Sequence, residues 1–159
     1  MVKVSMLTLQ AYNQFGGFSA YKGDGDSELT KSRVVSFDRP LDGLGTSVFE
    51  RFEMSIARYV DATLPNASWT TDIDVSTGTT SLAGVRSIIT GGHDEYWTTA
   101  ERNNVENALK AGTNLFVTGA NSIYWRVRLM DSAIGANRQF AIYKVCLLYT
   151  SPSPRDLST

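Results

Sequence analysis

The sequence predicts an α/β fold, a doubly wound and mainly parallel sheet in a three-layer sandwich, truncated within these 159 residues. Three observations predict it. Short β-branched runs bounded by glycine alternate with longer stretches of helical periodicity, the pattern of right-handed strand-helix-strand crossovers. Val85 to Thr90 (VRSIIT) is apolar without strict alternation, as a strand covered on both faces is. Two small-residue turns, Gly91-Gly92 and Gly119-Ala120-Asn121-Ser122, follow apolar runs at what would be the carboxyl ends of strands, where open α/β sheets bind ligands.

Taken in order, Val2 to Leu9 (VKVSMLTL) alternates loosely and predicts a strand, and Gln10 to Gly17 predicts a functional loop after it. Phe18 to Leu44 is rich in Gly, Asp and Ser, with only Arg33 to Phe37 (RVVSF) strand-like; a loop of this length is commonly a binding element or disordered. Ser47-Val48-Phe49-Glu50 matches a capping box, and Val48, Phe49, Phe52, Ile56, Tyr59 and Val60 recur at helical spacing until Pro65 and Asn66. Ser68 to Val75 (SWTTDIDV) predicts a strand and Ser76 to Ser81 a turn. Thr98-Thr99-Ala100-Glu101 repeats the capping pattern, and Gly112 ends the helix that it starts. Asn114 to Thr118 (NLFVT) and Arg138 to Lys144 (RQFAIYK) complete the predicted strands.

With 15 basic and 16 acidic residues and no long run of either sign, the chain shows no electrostatic footprint for nucleic acid or an anionic membrane. No apolar run reaches the length of a membrane span, and a cytoplasmic location is the expectation. The single cysteine, Cys146, allows no internal disulfide. From Cys146 onward, CLLYTSPSPRDLST resembles the translated read-through of a sequencing adapter. Residues 1–145 are therefore taken as a partial α/β domain that continues beyond Val145 in the natural protein, and 146–159 as a non-native tail, with a genuine disordered tail as the alternative. Neither a Walker motif nor a dinucleotide fingerprint is present, because Gly16-Gly17 and Gly91-Gly92 lack the spacing.

The chemistry concentrates in Gly91-Gly92-His93-Asp94-Glu95-Tyr96-Trp97, which holds the only histidine of the chain, two carboxylates and two aromatics in a predicted strand-to-helix turn. Imidazole titrates near neutrality and carboxylate is a hard anionic donor, so the turn can supply a general base, a metal ligand or both. In extended backbone His93 and Glu95 project to one side and Asp94 to the other. The alternatives are a structural histidine capping the next helix, and carboxylates that compensate its dipole. If the strands are neighbours, Asn121 in the second turn lies beside the first. Trp97, Tyr124 and Trp125 are expected as core or interface aromatics, Arg126 and Arg128 on a solvated or subunit-facing edge, and Asp38 with Arg39 as a turn-stabilising pair.

GGHDEYW, followed after a helix by NLFVTGANSIYWRVRL and preceded by AYNQFGG and SFDRP, resembles the carboxyl-terminal domain of the N,N-dimethylformamidase large subunit and its relatives. The likeness spans roughly Leu7 to Lys144, in order and at matching spacing. It implies a class I glutamine amidotransferase-like, flavodoxin-like sandwich, and hydrolysis of a small linear amide to amine and carboxylate at a mononuclear iron held by two tyrosines and one glutamate. By the resemblance, Tyr12 and Glu95 are metal ligands, His93 stands near the metal, and Asn121 either supports the ligands or orients substrate. The implied mechanism is Lewis-acid amide hydrolysis, in which the metal polarises the amide carbonyl or deprotonates a bound water while His93 or another base delivers the proton to the departing amine. The second tyrosine is expected upstream of Met1 and a further active-site glutamate downstream of the described domain; a small subunit and a homo-oligomer are the implied partners. The other function class compatible with the sequence is a non-catalytic glutamine amidotransferase-like domain that binds carbohydrate or protein. A cysteine-nucleophile amidotransferase is disfavoured, since the turn after VRSIIT carries His93 and no cysteine.

Overall fold

A computed structural model of the chain describes residues 1–144. Four short strands, β1 (Val2–Val4), β3 (Trp69–Thr71), β4 (Ser87–Thr90) and β6 (Asn114–Val117), form one sheet in the order β3-β1-β4-β6, every neighbouring pair parallel. The chain thus steps from β1 to one side and returns to the other, which makes the gap between the ends of β1 and β4 the point where strand order reverses. A second, mixed sheet holds β2 (Val34–Ser36), β5 (Tyr96–Thr98), β7 (Trp125–Ser132) and β8 (Gly135–Ile142), in the order β2-β8-β7-β5. There β2 and β7 run antiparallel to β8, and β5 runs parallel to β7.

Five α-helices accompany them among the described residues: α1 (Met6–Tyr12), α2 (Gly43–Phe52), α3 (Met54–Thr63), α4 (Asp72–Thr77) and α5 (Thr99–Lys110). Leu7, Ala11, Ala20, Val35, Tyr96, Val127, Phe140 and Ile142 form a core between α1 and the mixed sheet. Val75, Leu82, Ile88, Trp97, Val105 and Ala108 form another between the parallel sheet, α4 and α5. Among the described residues no helix is long and apolar enough to cross a membrane.

Several elements differ from the sequence expectation. The predicted strand Val2 to Leu9 ends at Val4; the rest is α1, whose Leu7 amide donates to the buried Asp72 carboxylate at 2.8 Å. Leu7 to Ala11 are all buried, so no polar face marks the helical period. Ser47 is not a cap. Asp42 is, accepting from the Leu44 and Gly45 amides at 3.0 and 2.8 Å, and Ser47 bonds back to the Leu44 carbonyl inside α2. The single helix expected there breaks at Glu53, because the Phe52 carbonyl leaves the helix to accept from the Gly92 amide at 3.1 Å. Ser68 to Val75 is a strand only to Thr71, whose hydroxyl caps α4 through the Asp74 amide at 3.1 Å. GGHDEYW does not lead straight into a helix, since Tyr96 to Thr98 first pairs with β7. The eight-residue strand β7 was not expected as an element; within it Val127 is buried while Arg126 and Arg128 are exposed. Trp97 is core as expected, whereas Tyr124 is exposed. Asp38 and Arg39 do not pair with each other: Asp38 accepts from Arg138 Nε at 2.6 Å, and Arg39 turns inward. Residues 145–159, with Cys146 and the predicted tail, lie outside the described residues.

Candidate functional site

The turn 91–95 leaves the carboxyl end of β4 at the reversal point of the strand order, the place where ligands enter open α/β sheets. Its glycines are required by close approach. A Cβ on Gly92 would meet the Phe52 carbonyl, and one on Gly119 would meet the Gly92 carbonyl, so the α2–α3 junction and the 119–122 turn both press on this backbone. The side chains then alternate as expected: His93 and Glu95 face α1, and Asp94 faces the opposite way.

On the α1 side three phenols converge. Tyr12, at the last residue of α1, brings its hydroxyl 3.0 Å from Glu95 Oε2 and 3.1 Å from His93 Nε2, and His93 Nε2 lies 3.3 Å from the same Oε2. Tyr21 Oη donates to both Glu95 oxygens, at 3.0 and 2.9 Å, and accepts from Tyr96 Oη at 2.8 Å. The Tyr12 and Tyr21 rings pack with centroids 4.4 Å apart, and Phe52 stacks on His93 at 4.8 Å. Little of this is open to solvent: the His93 side chain is 11% exposed and that of Glu95 6%.

Burial pushes the Tyr12 phenol up to about 12, the Glu95 charge adding to it and Tyr21 opposing it. Tyr21 and Tyr96 are pushed upward more strongly, again by burial first. All three are therefore neutral hydrogen-bond donors at physiological pH. Lys144 places its ammonium 3.2 Å from the centroid of the Tyr21 ring and 4.9 Å from that of Tyr96; burial lowers it to about 8, and the Glu95 charge holds it up.

Long-range bonds hold the pieces in place. Glu95 and Tyr96 donate their amides to the Thr8 hydroxyl, at 3.1 and 3.4 Å. Arg39 reaches the carbonyls of Gln10, Asn13, Phe15 and Phe18, at 2.8, 2.9, 3.1 and 2.7 Å, tying the end of α1 to the loop that carries Tyr21. The Ala20 amide completes that docking on the Ala11 carbonyl at 2.9 Å.

Asn121 does sit beside the first turn. The Ile123 amide donates to the Asp94 carbonyl at 2.9 Å, and the Tyr124 and Trp125 amides to the Glu95 carbonyl at 3.0 and 2.9 Å. Asn121 itself is exposed, at φ 57°, and among the described residues its side chain makes no hydrogen bond to Tyr12, His93 or Glu95. Ile123 shares this left-handed conformation at φ 58°, which for a β-branched side chain costs on the order of 1–3 kcal/mol. Its bond to Asp94 stabilises that geometry.

A family model described as N,N-dimethylformamidase beta subunit-like, C-terminal, matches residues 1–157. The chain belongs to this family. The match supports the likeness drawn from GGHDEYW and its flanking motifs, and it runs on into the segment that sequence reasoning set apart as a tail. No curated protein sequence matches the chain. In this member of the dimethylformamidase-like family the structure joins Tyr12, His93 and Glu95, all three anticipated from sequence, and leaves Asn121 one turn away.

Sequence reasoning did not single out Tyr21, Tyr96, Arg39 in its clamping role or Lys3. Tyr96 stood inside the quoted motif, one residue after Glu95, and its hydroxyl function was the available signal. Tyr21 had none beyond the length of its loop. A lysine in the middle of a strand expected to be covered on both faces was the signal for Lys3, because buried ammonium groups need partners.

Proposed function

We propose that this chain carries the metal-binding core of an iron-dependent hydrolase that cleaves a small linear amide to amine and carboxylate. The observation that carries the reading is the meeting of Tyr12 and Glu95 at 3.0 Å, with His93 Nε2 3.1 Å from the same phenol, from segments about eighty residues apart. Among the described residues no three imidazole, thiol or carboxylate groups are placed to hold a metal ion by themselves, so a cation here would depend on phenol oxygen. The donor chemistry fits: carboxylate and phenolate are hard oxygen donors, and imidazole beside them is a common iron ligand or proton carrier. The family membership supports amide hydrolysis, and the β3-β1-β4-β6 order supports the doubly wound, glutamine amidotransferase-like arrangement.

In this reading Tyr12 and Glu95 would hold an iron ion, and the chemistry it would supply is Lewis acidity toward an amide carbonyl. Tyr12 would hold the ion as its phenolate with its proton released to solvent, since a phenol raised to about 12 is otherwise protonated and nearby cationic charge favours the phenolate. Glu95 stays a ligand, oriented by the Tyr21 hydroxyl that Tyr96 in turn supports. His93 faces the site through Nε2, where it would take a proton from the water whose oxygen forms the new C–O bond and pass it to the amine nitrogen as the C–N bond breaks. Phe52 covers one face of the imidazole and keeps water from it. Asn121 orients substrate from the neighbouring turn. A second, smaller subunit and a homo-oligomer are the proposed partners, in line with the family's beta-subunit description.

The test is to load the protein, in its full reading frame, with iron and measure bound metal and amine released from small formamides. Loss of both in Glu95→Ala and Tyr12→Phe is expected, each by more than the roughly 100-fold that losing an outer-shell partner costs. Wild-type activity in either variant overturns the reading. Tight iron binding without amine release in the unmodified protein favours a binding domain instead.

A further inference from the structure

Behind the turn, on the side away from the phenols, lies a charged cluster that the proposed chemistry does not use. The Lys3 ammonium stands 2.8 Å from Asp94 Oδ2 and 2.6 Å from Glu101 Oε1, and all three side chains are fully buried. Lys3 sits mid-strand in β1, with Thr70 of β3 on one side and Thr90 of β4 on the other, so its backbone is among the most constrained in the sheet. Its ammonium also lies 4.4 Å from the centroid of the Trp97 ring. Neither Asp94 carboxylate oxygen has a hydrogen-bond partner of good geometry among the described residues. The Lys3 charge is what compensates that buried anion.

We propose that Lys3 is a positioning residue for the metal-binding turn: by holding Asp94 on one side, it sets the direction in which His93 and Glu95 project on the other. This rests on the metal-site reading only for what the turn is for. The geometric claim stands on alternation, since the side chains of residues 93, 94 and 95 point to alternate sides and cannot rotate independently of the backbone between them. Pulling Asp94 toward β1 therefore presents its two neighbours toward Tyr12. Glu101, at the first turn of α5, fixes Lys3 from a third element, and its own amide is capped by Thr98 at 2.9 Å. A purely structural ion cluster behaves differently: each of its members is then needed alike, and neutralising Glu101 would disturb the turn as much as removing Lys3.

That difference supplies the experiment. His93 is the only histidine of the chain, so its imidazole resonances report the turn without ambiguity and without any metal. In Lys3→Met, with a thermal melt confirming a folded chain, those resonances are expected to shift or broaden, and iron affinity to fall about 10-fold or more, the range for a partner that orients a ligand. Asp94→Asn carries the same expectation and serves if Lys3→Met does not fold. Glu101→Gln leaves the Lys3–Asp94 link in place and is expected to leave the His93 signals unmoved. A folded Lys3→Met or Asp94→Asn with unchanged His93 signals and unchanged iron affinity overturns the proposal. So does a Glu101→Gln shift as large as that of Lys3→Met, since any disturbance of the cluster would then suffice. If the unmodified chain binds no iron, the functional reading fails, and the metal-free His93 signals still decide the role of Lys3.

Discussion

The two sides of residues 93–95 are both buried and both polar, yet they are built in opposite ways. On the phenol side neutral hydroxyls bond to a carboxylate, to an imidazole and to one another, so their protons can leave and another positive centre can replace them. On the other side one ammonium faces Asp72, Asp94 and Glu101 with no exposed edge. Burial alone would lower Lys3, but the charges of Asp94, Glu101 and Asp72 outweigh it and raise the group, keeping it cationic. Two of those carboxyls, Asp72 and Glu101, are themselves raised, by burial first. The difference teaches that a single turn can be anchored by buried charges on one side and still present, on the other, groups held only by exchangeable hydrogen bonds.

The sharpest way to break this contrast is to truncate each carboxylate separately. Asp94→Ala strands Lys3 with one partner fewer inside the protein, and breaking a buried pair in this way costs about 3–5 kcal/mol. Glu95→Ala removes hydrogen bonds from phenols that remain neutral, at about 1–2 kcal/mol. Chemical denaturation of both variants checks the order. Equal losses would mean that the two sides share one structural role.

A pH series sharpens the same contrast from the charged side. Glu53, at the α2–α3 break, packs under Gly91; burial, and then the Asp94 charge, raise its carboxyl from the ordinary 4.5 to about 7, against the pull of Ser5. The folded chain therefore holds a proton at Glu53 through the window from 4.5 to 7 that the unfolded chain has released. Stability from this group is complete below that window and is lost as pH rises through it, on the order of 3 kcal/mol in all. Glu101 and Asp72 shift in the same direction and add to the slope. Denaturation midpoints measured from pH 5 to pH 8 should fall, and Glu53→Gln should flatten the fall. A rise over that range would contradict the assignment.

How much of this was legible in the sequence follows the same division. The strand VRSIIT, the capped helix behind it and the two small-residue turns were readable, because local pattern and glycine punctuation carry them. Alternation alone assigned His93 and Glu95 to one side and Asp94 to the other, and the structure agrees. The first helix was not legible, since Leu7 to Ala11 are buried throughout and the amide end of α1 is satisfied by Asp72, far away in sequence. The break at Glu53 was hidden for a related reason: it exists because Gly92, from a different element, takes the Phe52 carbonyl. Tyr21 reaches the site only because Arg39 gathers four carbonyls, and no local spacing encodes that docking.

Tyr21 also gives the smallest and most informative perturbation of the phenol side. It contacts both Glu95 oxygens, whereas Tyr12 contacts one oxygen and His93 Nε2. If Tyr21 orients the carboxylate and Tyr12 binds the cation, Tyr21→Phe removes hydrogen bonds but no ligand. The expected cost is about 1 kcal/mol of stability and roughly 10-fold in iron affinity, with the visible tyrosinate-to-iron absorption band retained. Tyr12→Phe, by contrast, should weaken that band, because it removes a ligand phenolate. A band weakened equally but not abolished in both variants would place Tyr21 among the ligands and make the phenol side a two-phenolate site within this chain, with Glu95 shared between them.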